Sequence, residues 1–312
     1  MSTLAIILIV TSSLALAISQ VLSKYFQNGE WAERSALVAS LQSGAASIML
    51  FTFSFMTGGP HLSSGWLLPI LATGFLNIGI IFAKMRARAL EDVSLVTPID
   101  STTPALVIIT AMIIVGEYPS ALGWLGIWVL VIGTYILNIQ ELRQKLLGRQ
   151  NAAGSKLKRE LRVWFAPFLA LNKSAGVRWA FFAVLLSTFS LPFDGLTARR
   201  ADVGFGFGLV FAIAASGNLI FAFARHEHKG VKAKEVVQRF FALGLTFATS
   251  TILTGLAFQI SLVAYIGTMK RMTIPFAIIL AFLFLKERKS FKQRIVGGTI
   301  MAAGAVIIAL AK

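Results

Sequence analysis

The chain has 312 residues, of which 56% are apolar and 13% are charged, and its formal net charge is +16. Soluble domains contain about 25% charged residues, so this composition indicates an integral membrane protein. The positive charge does not indicate nucleic-acid binding, because most Lys and Arg residues fall in short segments between long apolar runs. The sequence has no cysteine, which excludes disulfides, thiol chemistry and cysteine metal sites.

Ten apolar segments are long enough to cross a membrane, since a helical span needs about 20 mostly apolar residues. Met1-Ser2-Thr3 contains no basic residue, so we interpret the first segment as a retained helix rather than a cleaved signal. We call the segments the first to tenth spans, and predict them at residues 4–23, 35–57, 66–88, 94–115, 120–139, 177–197, 204–224, 239–259, 262–285 and 293–311.

Two stretches of the sequence match each other and predict an internal repeat. Residues 104–137 and 275–308 each open with a proline, reach a Glu-x-x-Ser motif, and then carry two glycines seven residues apart. Seven residues is two helical turns, so the glycines of each pair share one face where another helix can approach closely. The motif glutamates are Glu117 and Glu287, and the glycines are Gly126, Gly133, Gly297 and Gly304.

The repeat predicts how the chain is organised. Five spans is an odd number, so two five-span halves must lie in the membrane with opposite orientations. We predict an all-α integral membrane protein with about ten transmembrane helices, arranged as two inverted five-helix repeats. The first repeat covers residues 1–139, a basic and partly amphipathic connecting segment covers 140–176, and the second repeat covers 177–312. The amphipathic part of the connecting segment suits either a helix in the headgroup region or a solvated linker.

The repeated stretches resemble a known family. SLVTPIDSTTPALVIITAMIIVGEYPSALGWLGIWVLVIGTYIL (94–137) and its counterpart at 261–308 look like the EamA-type members of the drug/metabolite transporter superfamily. The family's mark is a proline helix that ends in Gly-Glu and is followed by a glycine helix, once per half. Gly116-Glu117 fits this mark, whereas the second copy has Lys286 in place of the glycine. The resemblance implies a ten-helix bundle that alternates access between the two sides of a membrane.

Charge in the loops predicts an orientation. Most Lys and Arg residues lie in the odd-numbered gaps between spans, which places those gaps in the cytoplasm and both termini outside. The resemblance implies the opposite, with both termini in the cytoplasm. We expect the protein to reside in a prokaryotic plasma (inner) membrane, in contact with membrane lipid, as a monomer or a homodimer.

Lys270 and Arg271 lie side by side inside the apolar ninth span, where uncompensated charge is costly. Arg271 lies four residues before Pro275, and Asp100 lies four residues before Pro104 in the equivalent span. We predict that Asp100 faces Lys270 or Arg271 across a cavity between the halves. Adjacent helical residues point about 100° apart, so one cation is paired with Asp100 and the other is free for a ligand. The alternative is an ion pair with only a structural role.

Several other polar residues are candidates for a substrate pathway. Asp194, in the sixth span, either carries a proton or lies at a wet helix end beside Arg199 and Arg200. Lys84 and Arg88 share a helix face, and we interpret them as reaching the headgroups, with an anion-attracting entrance as the alternative. Pro104 and Pro275 each free a backbone carbonyl, which predicts kinks that act in gating or expose a carbonyl to ligand. The remaining candidates either line the cavity or bond neighbouring backbone: Gln20, Gln42, Asn77 and Asn218.

These features predict a secondary active transporter, an exporter or exchanger, for a small polar or charged metabolite. The fourth and ninth spans together contain two cations and one acid. This balance weakly favours a substrate with a carboxylate or phosphate, such as an amino acid. A coupling proton or cation is left open, and no cofactor, metal or nucleic acid is expected. The alternative is a lipid or polyprenyl-carrier translocase on the same fold. A remote alternative is an intramembrane aspartyl protease using Asp100 and Asp194. Otherwise no catalytic constellation is visible, so we predict that the protein is not an enzyme.

Overall fold

The computed structural model describes residues 1–26, 31, 33–90, 99–147, 163–166, 168–169, 171, 174–284 and 291–311. The described residues form a bundle of long apolar helices. They are α1 (Thr3–Phe26), α2 (Ser35–Met56), α3 (Leu67–Leu90), α4 (Thr103–Ile114), α5 (Ala121–Leu147), α6 (Ala175–Arg200), α7 (Val203–Ala224), α8 (Ala233–Ile260), α9 (Val263–Met269), α10 (Thr273–Phe284) and α11 (Phe291–Leu310). A short 3-10 helix, Lys270–Met272, lies between α9 and α10.

The helices confirm the predicted spans within a few residues at most ends. Six of them are long and apolar enough to cross a membrane, and α4, α5 and α11 contain shorter apolar stretches. Large apolar side chains cover the outside of the bundle, for example Leu68, Ile113 and Ile220. In water this surface would be unfavourable, whereas in lipid it costs nothing.

Two helices extend beyond their predicted spans. α5 continues to Leu147, past the predicted end at 139, and α8 begins at Ala233 rather than at 239. The added segments, QELRQKLL and AKEVVQ, are polar but consist largely of good helix formers, so the helix continues where the apolar span stops.

Helix packing follows a pseudo-twofold symmetry between the halves. α3 packs on α6 as α1 packs on α8, and α3 packs on α7 as α2 packs on α8. α4 packs on α6 as α1 packs on α10, and the pairs α2–α7 and α5–α11 lie on the axis. Exchanging the first five spans with the last five leaves this pattern unchanged, as two equivalent five-helix halves require. The exact domain boundaries stay a prediction.

Glycines on the axis allow the closest helix contact, as the repeat predicted. A Cβ on Gly133 would lie 2.6 Å from the Met301 backbone nitrogen, and a Cβ on Gly304 would lie 2.5 Å from that of Leu130. Gly126 and Gly297 meet the partner helix backbone in the same way. The four glycines therefore join α5 to α11 at a separation that no larger residue permits.

Both chain ends lie at one end of the bundle, which we call the terminus end. The Met1 ammonium donates to the carbonyls of Ala309 (3.2 Å) and Ala311 (2.6 Å). An even number of spans requires this arrangement, and it is compatible with either orientation in the membrane. The orientation therefore stays a prediction.

Part of the connecting segment packs against α5. Val163 is buried against Ile139, and the Trp164 and Phe168 rings stack on Tyr135. The Tyr135 hydroxyl donates to the Trp164 carbonyl. Residues 156–162, 167, 170 and 172–173 of the predicted amphipathic stretch, and Glu287, lie outside the described residues.

Candidate functional site

The fourth and ninth spans are broken at equivalent places. The ninth span changes from α9 to the 3-10 helix at Lys270. In the fourth span, Ile99 and Asp100 are helical, Ser101 and Thr102 form a turn, and α4 follows. Pro104 and Pro275 follow these breaks within three residues, and their roles in kinking and gating stay predictions.

Threonine hydroxyls stabilise both breaks. Pro104 lacks the N–H that would bond the Asp100 carbonyl, and the Thr103 hydroxyl donates to that carbonyl instead (2.7 Å). In the ninth span the Thr273 hydroxyl donates to the Lys270 carbonyl at the same distance, 2.7 Å. The charged residues of the two spans therefore lie at helix breaks inside the bundle, where their side chains reach across between the halves.

Asp100 forms the predicted contact with Arg271. Its Oδ2 lies 2.8 Å from the Arg271 guanidinium, and its Oδ1 lies 3.7 Å from the Lys84 ammonium. The side chains are part-buried, with 31% of Asp100 and 19% of Arg271 exposed. The expectation that Asp100 answers one of the two cations is thus confirmed, and Arg271 is that cation.

Lys270 is the other cation, and it has no such partner. Among the described residues, its ammonium makes no hydrogen bond and no ion pair within 4 Å. Its charge interacts with those of Asp194, Lys84 and Arg271. The cluster of Lys84, Asp100, Asp194, Lys270 and Arg271, here called the charged cluster, therefore holds three cations and two carboxylates.

Asp194 lies in a pocket of polar groups between α3 and α6. The Thr73 hydroxyl donates to its Oδ1 and also contacts the Ser190 hydroxyl at 2.7 Å. The Asn77 amide donates to the Thr73 hydroxyl (3.1 Å) and to the Ser190 hydroxyl (3.3 Å). Of the two predicted settings for Asp194, the wet helix end beside Arg199 and Arg200 is wrong, because Asp194 turns inward to α3.

The charged cluster extends along the bundle axis. At 1.5 Å per residue, Asp194 lies about 10 Å from the end of α6, at the terminus end. Gly195 contacts Val263 and Leu191 contacts Gly267 of the antiparallel α9, so Lys270 lies about 9 Å further from the terminus end than Asp194. Asp100 and Lys84 lie about 20 to 25 Å from that end on the same scale. The charges form a line from Asp194 through the middle of the bundle toward its opposite end, as expected for a polar pathway.

The other predicted pathway residues do not join the cluster. Asn218 is fully buried and donates to the Ala214 carbonyl of its own helix, which is the second of the two roles considered for it. Gln42 donates to the Ser19 hydroxyl at 3.1 Å, and Gln20 is exposed. Among the described residues, no hydrogen bond joins either glutamine to the charged cluster.

Sequence reasoning did not identify Thr73 and Ser190, and it did not predict the contact of Lys84 with Asp100. The Lys84 ammonium lies 3.7 Å from Asp100, as the alternative of an anion-attracting entrance would require. Ser190 carried no signal, because single hydroxyl residues are common on apolar helices. Thr73 lies four residues before Asn77 on the same helix face, and this spacing is the pattern that points to Thr73.

Direct polar contacts close the terminus end. Arg199 forms an ion pair with Glu117 (2.5 Å) and donates to the carbonyls of Phe258 (2.9 Å) and Ser261 (2.8 Å). The second Glu117 oxygen accepts from the Val263 N–H, the first of α9, at 2.7 Å. Glu117 belongs to the first half and its partners to the second, so these contacts tie the halves together.

A cleft of about 580 Å³ opens outside this closure. Its lining includes Tyr118, Arg199, Gln259 and Tyr265. The cleft lies at the terminus end, beyond the Glu117–Arg199 pair, and does not contain any residue of the charged cluster. The charged cluster, rather than this cleft, is therefore the candidate functional site.

The geometry can now be compared with known proteins. Residues 3–139 match the model of the EamA-like transporter family. The match covers the first half of the chain and confirms the resemblance seen in the sequence. It is a match to a family of membrane transporters rather than of enzymes. Asp100 and Asp194, each in its own environment, accordingly do not form a protease dyad.

The fold also occurs among solved structures. One of 29 matching chains, described as "Crystal structure of protein", superposes with a TM-score of 0.72. The match covers 99% of this chain and 98% of the other, at 15% sequence identity. At that identity the likeness shows the fold alone. Among curated proteins, none matches the sequence.

Proposed function

We propose that the protein is a secondary active transporter, an exporter or exchanger, for a small anionic metabolite that carries a carboxylate or a phosphate. The observation that carries this proposal is Lys270, a cation inside the bundle without an ion-pair partner among the described residues. Charge inside a membrane protein is costly and is retained where it serves a pathway. A carboxylate or phosphate supplies the missing partner, and an amine does not.

The neighbouring charges support the same substrate class. Asp100 is occupied by Arg271 and Lys84, so it does not compete for the Lys270 ammonium. The cluster carries one more cation than it has carboxylates, and a bound monoanion balances it. Lys84, nearest the end opposite the termini, gives an approaching anion a first attractive charge.

Alternating access has a physical basis in two features. The contacts of Glu117 and Arg199 close the terminus end, and they are few enough to break and reform. The equivalent breaks before Pro104 and Pro275 provide points where the halves can rock against each other. Opening the terminus end and closing the opposite end would expose the charged cluster to the other side.

Counterflow in proteoliposomes tests this function. Liposomes containing the protein are loaded with a pool of amino acids, organic anions, amines and nucleosides, and the same pool carrying isotopic label is added outside. Mass spectrometry then measures which labelled compounds exchange, with protein-free liposomes as the control. We expect selective exchange of carboxylate or phosphate compounds.

Two results would contradict the proposal. Exchange of amines or nucleosides alone would assign a different substrate class. No solute exchange, together with movement of fluorescent lipids between leaflets in the same vesicles, would favour a lipid or polyprenyl-carrier translocase instead.

A further inference from the structure

The pocket of Asp194 holds a carboxylate among groups that carry no charge. Its Oδ1 accepts from the Thr73 hydroxyl, and Ser190 and Asn77 complete a connected set of hydrogen bonds. Thr73 and Ser190 are buried, with 0% and 2% of their surface exposed. The proposed binding of an anion at Lys270 leaves this pocket without an assigned task.

Lys270 is the charged group that acts on Asp194. α4 and α7 contain no charged residue, and the charges of α3 and α8 lie toward the opposite end of the bundle. Arg199 and Arg200, on the helix of Asp194 itself, turn to Glu117 and to the Gly65 carbonyl. The charges on the helices packed against α6 are Lys84, Arg86 and Arg88 on α3, Lys234, Glu235 and Arg239 on α8, and Lys270 after α9. Of these, Lys270 has an electrostatic interaction with Asp194.

Close packing of α9 on α6 fixes the positions of Asp194 and Lys270 relative to each other. Gly195 packs against Val263 of α9, and Gly267 of α9 packs against Leu191 of α6. Neither glycine leaves room for a Cβ. The two helices are antiparallel, so Asp194 and Lys270 lie on opposite sides of this contact, about 9 Å apart along the bundle axis at 1.5 Å per residue. The Lys270 charge acts on Asp194 over this distance.

We propose that Asp194 is the coupling site of the transporter and takes up one proton each time an anion binds at Lys270. This step rests on the proposed function, since it needs an anionic substrate. An anion at Lys270 neutralises the cation that, in the part of the chain that the structure describes, acts on Asp194. A carboxyl group inside a bundle then binds a proton more readily, because the interaction that favoured its ionised form is gone. By linkage, the proton in turn strengthens anion binding.

The charges balance through the cycle. The empty cluster carries three cations and two carboxylates, a net charge of +1. A bound monoanion lowers the net charge to zero, and the proton on Asp194 restores it to +1. The loaded and empty forms of the transporter therefore carry the same net charge when they change between the two access states. The proton enters from the side to which the cluster is open and leaves with the anion on the other side.

A proton suits this pocket better than a sodium ion. The Asn77 amide directs its N–H groups at the Thr73 and Ser190 hydroxyl oxygens. Those oxygens are the ligands that Na⁺ would need in addition to the carboxylate. A proton requires only the free carboxylate oxygen.

Gradient-driven uptake tests the coupling. Proteoliposomes receive the metabolite pool outside at one pH unit below the internal pH, and mass spectrometry measures the accumulation of each compound. One proton per monoanion predicts about a tenfold accumulation of the transported anions. Counterflow of the same pool without a gradient is measured in parallel, because exchange needs no net proton movement.

Asp194→Asn provides the specific variant. It keeps the shape of the side chain and an oxygen that accepts from Thr73, but it does not ionise. We expect it to lose gradient-driven accumulation and to exchange the anions at a rate that no longer depends on pH. Asp202→Asn is the matched control, since Asp202 caps α7 through the Phe205 N–H and asparagine caps equally well. It should keep both activities.

The outcomes separate the two proposals. Wild-type counterflow without pH-driven accumulation, accumulation driven by a Na⁺ gradient instead, or full accumulation by Asp194→Asn would each overturn the coupling role and leave anion transport intact. Absence of counterflow of the anions in wild type would overturn both. If Asp194→Asn does not fold, the wild type still decides, because a pH dye inside the vesicles must report one proton entering per anion.

Discussion

The α3–α6 interface and the α1–α8 interface occupy equivalent places in the two halves. Both contain hydrogen bonds between buried hydroxyl groups. On the α1–α8 side, the Ser12 hydroxyl contacts the Ser250 hydroxyl (3.0 Å), the Ser250 carbonyl (2.8 Å) and the Thr254 hydroxyl (2.6 Å). On the α3–α6 side, Thr73 and Ser190 make the corresponding contact and Asp194 joins them.

The difference between these interfaces shows what the repeat supplies and what it does not. Both halves supply helices that pack through hydroxyl pairs, so the symmetric architecture needs no charge. α1 contains no acidic residue, and its counterpart α6 contains Asp194. Under the proposal for Asp194, coupling chemistry is added to one side of a symmetric scaffold, which would give the transporter one coupling site rather than two.

Reversing a charge in the charged cluster should have the largest effect. Arg271→Asp places a carboxylate opposite Asp100, and we expect loss of transport and about 3 kcal/mol of stability. Adding Asp100→Lys should restore most of the stability, because the pair is then reversed rather than removed. Thermal unfolding followed by size-exclusion chromatography measures each variant. Strictly additive losses in the double variant would show that the two side chains do not interact.

Substitutions at the contact of α5 with α11, on the pseudo-twofold axis, should have the next largest effect on stability. Gly297→Ala places a methyl group against the Leu137 backbone, and overpacking of this kind costs about 1 to 3 kcal/mol. Gly298→Ala, one residue along, is the control, because a Cβ there meets nothing within 4 Å. It should be neutral or stabilising by up to about 1 kcal/mol. Equal melting temperatures for the two variants would contradict close packing of α5 on α11.

Substitutions at the two hydroxyl interfaces should have the smallest effects. They should distinguish a loss of stability from a change in proton coupling. Ser12→Ala removes hydrogen bonds on the uncharged side, so we expect a loss of about 1 kcal/mol and an unchanged pH profile of transport. Thr73→Val should cost a similar amount but shift the pH profile to higher pH, because the lost donor had stabilised the ionised form of the Asp194 carboxylate. The same profile in both variants would mean that the interfaces do not differ in function.

The sequence predicted the scaffold well, because span length and apolar composition follow directly from the membrane. It also predicted the contact of Asp100 with Arg271, since both lie four residues before a repeated proline. It did not predict the Glu117–Arg199 pair or the turn of Lys84 toward Asp100. Those contacts depend on how loops and helix ends of different halves meet, and local patterns do not encode that.

Asn218 and Asp194 show the same limit. A polar residue on an apolar helix can bond its own backbone or a neighbouring helix, and spacing alone does not distinguish these. Asn218 bonds the backbone of its own helix, whereas Asp194 bonds a neighbouring helix. The hydroxyl partners of Asp194 come from another helix, so only the packed structure brings the pocket together.

The central claim is that Lys270 receives the anionic group of the substrate, and a matched pair of lysine variants tests it most directly. Counterflow of the metabolite pool is measured with wild type, Lys270→Met and Lys229→Met, which removes a lysine from an exposed turn. The account predicts at least a tenfold loss of carboxylate and phosphate exchange in Lys270→Met and wild-type exchange in Lys229→Met. Unchanged exchange of these compounds by a folded Lys270→Met protein would contradict it and return Lys270 to a structural role.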